Sequence, residues 1–246
     1  MKKFIILLAS GWLAFGWLAC AANATTANAT TLDEAKAAAD AGNFAQAAEM
    51  YRALAKEGDA KAQYNLGLMY YYGDGVKQDY PQAIEYYRQA ADKGFPEAQY
   101  NLGIIYFTNK VASPDYDESI RYYRMAAEQG HIKSQLNLGI IYLKGEVVPQ
   151  DYDAAKKWLA LAAEQGSGDA QFDLGNMYLH GDGLDEDKVR GYMWVALSTE
   201  DKNSSPSRIN KRRNLLSYLS INMTPEQIEQ ARQFTNNCRN NQLKGC

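Results

Sequence analysis

Apolar positions along most of this chain keep a fixed beat. Leu66, Leu102, Leu138 and Leu174 stand 36 residues apart, and each is followed by a glycine: Gly67, Gly103, Gly139 and Gly175. Three residues beyond each glycine comes a tyrosine (Tyr70, Tyr106, Tyr142, Tyr178), and four before each leucine a small residue. Small, Leu, Gly and Tyr at i, i+4, i+5 and i+8 form a stripe down one helical face, so this half of each unit predicts a helix, here helix A. The second half repeats too. Ala83, Ser119, Ala155 and Gly191 stay small, Tyr86, Tyr122, Trp158 and Trp194 stay aromatic, and small pairs follow at Ala90–Ala91, Ala126–Ala127 and Ala162–Ala163. That pattern predicts a second amphipathic helix, B, closed by Gly94, Gly130 and Gly166 in the left-handed conformation of a C-terminal cap.

Glycine after leucine lets the two backbones close, and the small residues of helix B are expected to receive the tyrosines of helix A. The evenly spaced Tyr and Trp positions read as packing rather than a cofactor box. Between the helices, Gly73–Asp74–Gly75 and Gly181–Asp182–Gly183 allow a turn with positive φ. Asn109 replaces the first glycine, while Val111 and Val147 replace the second, so those two turns should follow another path at the same length. Paired helices at a fixed period stack into a solenoid.

These residues carry a resemblance. The pattern A-x-x-x-L-G-x-x-Y-x-x-G-x-G, then D-Y-x-x-A-x-x-(Y/W), then A-A-x-x-G resembles the Sel1-like repeat family, the longer cousin of tetratricopeptide repeats. It recurs four times in register over residues 59–202, as 59–94, 95–130, 131–166 and 167–202, although Lys188, Gly191 and Ser198 depart from it in the last. The resemblance implies an all-α fold, a right-handed α/α superhelical solenoid of helix-turn-helix repeats with helical caps. Residues 30–58 are similar to a tetratricopeptide-type opening pair. Residues 203–246 predict a closing cap, with one helix from Ser205–Pro206 and one from Thr224, where Thr224, Pro225 and Gln227 make a capping box.

The N-terminus is set apart. "MKK", then "FIILLASGWLAFGWLA", then small residues form a secretory signal pattern over residues 1–22. Such a leader predicts a periplasmic or secreted protein with no membrane span in its mature form. Cys20 raises lipoprotein processing as a rival, but Trp17 and Leu18 fit a lipobox poorly, so ordinary cleavage is favoured. Two cysteines then remain, Cys238 and Cys246, and export favours their oxidation to a disulfide closing the tail. A ring this small would contribute roughly 2–3 kcal/mol. A zinc site lacks further Cys or His partners.

Charge and motifs exclude more than they assign. The net charge is −3 with basic residues spread thinly, which leaves no footprint for nucleic acid. G-x-S-x-G, S-x-x-K, a phosphate loop and H-E-x-x-H are all absent. No enzyme, cofactor or metal is expected. His131 falls at a repeat junction, His180 at a helix end, "HGDGLDED" reads as a solvated turn, and "KRR" at Lys211–Arg213 reads as a solvated face.

What remains is a scaffold for a protein or peptide. Two alternatives stand beside it. The resemblance brings in β-lactam binding or weak hydrolysis, known for secreted cysteine-rich relatives whose repeats carry cysteines that these repeats lack. An exported, aromatic-rich solenoid would also meet peptidoglycan, so cell-wall contact is the other. By the resemblance, the edge of helix A opposite the Leu-Gly-Tyr stripe lines the inner curve. Steps of i, i+4, i+7 and i+11 along it give Lys61, Asn65, Leu68 and Tyr72; Glu97, Asn101, Ile104 and Thr108; Lys133, Asn137, Ile140 and Lys144; Asp169, Asp173, Asn176 and His180. A row of Asn65, Asn101 and Asn137, then Asp173, can pair with the main chain of an extended peptide. It can equally bond a neighbouring helix.

Overall fold

A computed structural model describes residues 30–108 and 113–246. The leader at 1–22, Cys20 and the turn at Asn109 and Val111 lie outside the described residues. Regular structure among the described residues is entirely helical. An opening pair, α1 (Leu32–Asp40) and α2 (Phe44–Lys56), precedes four A/B pairs. These are α3 (Ala60–Tyr72) with α4 (Tyr80–Asp92), α5 (Pro96–Phe107) with α6 (Tyr116–Glu128), α7 (Ile132–Lys144) with α8 (Tyr152–Glu164), and α9 (Gly168–His180) with α10 (Lys188–Ser198). Helices α11 (Pro206–Asn222) and α12 (Pro225–Asn240) follow. Through the pairs each helix packs on the next in sequence, the contact pattern of an all-α solenoid. No helix among the described residues is long and apolar enough to cross a membrane.

Local chemistry explains the helix boundaries. Each B helix opens at an aspartate, Asp79, Asp115, Asp151 or Asp187, whose carboxylate accepts from the N–H three residues on. A cap of this kind contributes about 1 kcal/mol. The same aspartate donates its own N–H to the carbonyl of Tyr70, Tyr106, Tyr142 or Tyr178, which closes the A-to-B turn in every unit. Gly75 and Gly183 take positive φ (69° and 67°), whereas Val147 does not, so the third turn reaches the same closing bond by another path. At α1 and α12 both halves of a capping box are formed, by Thr31 with Glu34 and by Thr224 with Gln227.

The A/B contact differs from the sequence expectation. It is the glycine of helix A that forms the notch, and helix B fills it. A Cβ at Gly103 would lie 2.5 Å from the Tyr123 ring, and the equivalent glycines receive Tyr87, Leu159 and Val195. The helix-A tyrosines stack on aromatics instead: Tyr70 on Tyr86 at 5.6 Å and Tyr106 on Tyr122 at 5.7 Å. Small helix-B residues serve backbone approach. Ser119 Oγ donates to Gly103 O at 2.7 Å, and in the fourth unit Gly191 leaves room for Leu179. Arg52, Arg88 and Arg124 each donate to the tyrosine hydroxyl of the next unit, Tyr70, Tyr106 and Tyr142.

The far end is closed by α11 and α12. Leu219, Met223 and Ala231 form a small core against α10 and the end of α9, and Arg239 pairs with Glu200. Cys238, buried beside Met193, is bonded to Cys246, with their Cα atoms 5.6 Å apart. The chain turns back through Gln242 and Leu243, both at positive φ.

Candidate binding groove

Helix A residues line a series of recesses along one face. The first, of ≈ 260 Å³, is walled by Tyr64, Leu68, Tyr71, Tyr72, Tyr87 and Ile105 around Asn101 and Ile104. The second, of ≈ 290 Å³, is walled by Phe107, Tyr123, Ile140, Ile141 and Val147 around Asn137, with Lys144 and Glu146 at its mouth. Five positions correspond across one period: Tyr71 with Phe107, Tyr87 with Tyr123, Asn101 with Asn137, Ile104 with Ile140, and Ile105 with Ile141. A wider opening of ≈ 500 Å³ carries Glu97, Asn101, His131 and Lys133. Tyr72, Glu97, Asn101, Lys133, Asn137 and Lys144 of the sequence-derived row are thus gathered on this face. Lys61, Asn65, Asp173 and Asn176 line none of these three recesses.

Each mid-chain asparagine lies beside a phenol of the preceding helix B. Asn101 lines its recess beside Tyr64 and Tyr87, and Asn137 lines its recess beside Tyr123. Burial pushes the Tyr87 and Tyr123 phenols far above their ordinary range, so both stay neutral hydroxyls. His131 caps α7, its ring packed 4.8 Å from the Tyr100 ring, and burial lowers its pKa.

The seam between α8 of the third unit and α9 of the fourth is built otherwise. Leu159 stands where Tyr87 and Tyr123 stand, and Asp173 replaces the asparagine. Burial, then the Asp169 charge, push the Asp173 carboxyl up to about 6, against the pull of Arg212, Lys211 and Lys144. Helix α11 lies over this end. Arg212 is 2% exposed, so "KRR" is not a solvated face throughout. Its guanidinium donates to Ser198 O (2.7 Å), Ser204 Oγ and Asp169, and Arg208 pairs with Asp169 as well. The acidic turn after α9 has a structural use: Asp187 is the N-cap of α10.

One repeated polar set was missed at the sequence level. Gln63, Gln99, Gln135 and Gln171 are buried, and each side-chain amide donates to the carbonyl of Ala55, Ala91, Ala127 or Ala163 at the end of the preceding B helix. Gln129 and Gln165 donate in turn to Gln99 and Gln135. Lys93 occupies the same position one unit earlier but donates to Gly58 O, and Gln63 Oε1 is left without a partner. The 36-residue spacing of these glutamines was the available signal.

Comparison with known proteins accords with this architecture. A tetratricopeptide repeat profile matches residues 32–72. Among solved structures, a Sel1 repeat protein from Oxalobacter formigenes is similar at 24% identity over 82% of this chain and 80% of its own, with a TM-score of 0.67. A protective antigen of uropathogenic Escherichia coli with an SLR fold is 26% identical over 78% of this chain and 56% of its own (TM-score 0.48). A Sel1 repeat protein from Klebsiella pneumoniae is 20% identical over 76% of this chain and 90% of its own (TM-score 0.46). No curated protein matches the chain. The Sel1 repeat profile matches residues 60–95, 96–131, 132–167 and 168–201, more than half of the sequence, and the chain therefore belongs to the Sel1 repeat family.

Proposed function

We propose that this chain is an exported scaffold whose helix-A face binds a protein or peptide segment. The observation that carries this reading is the pair of equivalent recesses, apolar in their walls with an asparagine in each. Tyrosine-rich surfaces of this kind provide large contact area with a polar tip, a composition common at recognition sites. Export rests on the leader pattern, and the Cys238–Cys246 bond suits an oxidising compartment. The chain acts here by presenting a surface and carries out no chemistry on its ligand.

The test is site-specific photocrosslinking in cells. A photoreactive residue replaces Lys144 at the mouth of the second recess or, as control, Lys156, exposed on α8. Adducts from position 144 and none from 156 are expected. Equal yields, or adducts from 156 alone, overturn the reading.

A further inference from the structure

Resting on that reading, one residue of the helix-A face ties binding to pH. We infer that His131 is a pH-sensitive latch on this face: neutral, it caps α7 and packs on Tyr100, and protonated below neutral pH it gives up the cap and turns its charge toward Glu97.

The cap is the first argument. The four A helices open at equivalent positions 36 residues apart, Asp59, Phe95, His131 and Ser167. Asp59 and Ser167 cap through oxygen, and Phe95 makes no side-chain cap. At His131 the acceptor is a ring nitrogen. Nδ1 accepts from the Ser134 N–H at 3.3 Å and lies 2.9 Å from Ser134 Oγ. Such an acceptor exists only in the neutral ring, with its proton on Nε2. Protonation sets an N–H at Nδ1 against the N–H of Ser134, which is then left with the carbonyl of His131 alone. It also places a cation at a helix N-terminus, where the macrodipole opposes it. Among these four residue types, histidine is the one whose ordinary pKa lies near neutral.

The surroundings are the second argument. The ring packs 4.8 Å from that of Tyr100 and lines the opening of ≈ 500 Å³. Two charged side chains line it as well, Glu97 on α5 and Lys133 on α7. Its other titratable groups are the phenols of Tyr64 and Tyr100, and the ends of α6 and α8 contribute Gly130 and Gln165. Burial lowers the pKa of the ring, while Glu97 pulls it up and Lys133 pushes it down. The imidazolium is therefore disfavoured in place and has an exposed carboxylate to turn to. Its departure bares the Tyr100 ring and pairs Glu97, so an aromatic and an acidic feature of the opening change in one step.

A folded pKa below the ordinary 6.5 makes the His131 contribution to stability complete above that value and lost as pH falls toward the folded one. Asp173 acts in the opposite sense, because the folded chain holds its proton more tightly. An exported chain meets the pH of its surroundings, so a latch on its binding face answers to the medium directly.

Proton NMR on the full mature chain with its disulfide intact tests the latch without a ligand. His131→Ser, which installs the cap of the fourth unit, assigns the ring signal and serves as reference. The Ser134 amide resonance should move together with the His131 ring signal. Below that midpoint its hydrogen exchange should run about fivefold faster than in His131→Ser at the same pH, the loss of one N-cap. Glu97→Gln should lower the midpoint of the ring, since no carboxylate then draws the cation. In cells, a photoreactive residue in place of Ile132, which lines the same opening, should give about twofold fewer adducts at about pH 5 than at about pH 7.5, and equal numbers at both in His131→Ser. A Ser134 amide indifferent to the titration of the ring, or a midpoint unmoved by Glu97→Gln, overturns the inference. Adducts that fall equally in both proteins, or that form from position 144 and never from 132, overturn the regulation of binding and leave the groove reading intact. No adducts from 132 or 144 at either pH overturn the groove reading itself.

Discussion

Units two, three and four share the same pairing of helices, yet their helix-A faces are put to different use. In units two and three the helix-A asparagine lies beside a phenol from the preceding helix B, and an apolar recess stays open beside them. At the last seam Leu159 of α8 replaces the phenol, Asp173 of the last unit replaces the asparagine, and α11 clamps the rim through Arg212 and Arg208. What is common to the units is the machinery that fixes the backbone: aspartate caps, glycine notches and the buried glutamines. The difference teaches that this machinery holds the helices in place without dictating the face between them. That face can carry a pocket in one unit and a docked helix in another.

Removing the clamp should break the comparison most sharply. Arg212→Ala leaves Ser198 O and Asp169 without their buried donor and is expected to cost about 3 kcal/mol by urea unfolding. Hydrogen exchange should speed up in α11 and leave α5 and α7 as they were. Next is a change to what the units share. Gly103→Ala drives a Cβ into the Tyr123 ring and should cost about 2 kcal/mol, with the tyrosine displaced toward the second recess. A loss below a few tenths of a kcal/mol would show that the notch yields easily.

Asp173 offers a smaller and pH-dependent effect. Its folded pKa, about 6, lies above the ordinary carboxylate value of 3.8. Between those values the folded chain holds more proton than the unfolded one, so stability falls as pH rises from about 4 to 6, and the penalty is complete above that window. Asp173→Asn, which restores the residue of the middle units, should stabilise the fold by about 1 kcal/mol at neutral pH, after allowance for its partial exposure, and flatten that decline. A thermal melt series across the window would show an unchanged slope if another group were responsible. The smallest effect belongs to the seam between the opening pair and the first unit. Lys93→Gln supplies the donor that Gln129 and Gln165 supply elsewhere, reaching the orphaned Gln63 Oε1. A gain of about 0.5–1 kcal/mol is expected, and a loss would mean that the Lys93 bond to Gly58 O is worth more.

Much of the fold was legible because its signals are local. A helix announces itself by an apolar stripe within a few turns, and a cap by residues three apart, as Thr224 and Gln227 demonstrate. The notch glycines were recognised as sites of close approach, but what enters them depends on the rotation of one helix against another. Tyr123 rather than Tyr106 fills the notch at Gly103 for that reason. Periodicity put Tyr72, Asn101, Asn137 and Lys144 on one edge of helix A, and these four line the two recesses, while the phenols beside the asparagines, fourteen residues earlier, were not visible in any local pattern.

By itself the sequence determined the helices, their pairing and their period, since each of these follows from contacts within a turn or between adjoining segments. Only the tertiary structure decided which polar residues would be buried and which would stay at the surface. Arg212 shows why: nothing in "KRR" separates the buried arginine from its exposed neighbours. Its burial is stabilised by Asp169, 43 residues earlier in the chain, and by a carbonyl at the end of α10. A charge can leave water only where such partners converge, and convergence across helices is a property of packing.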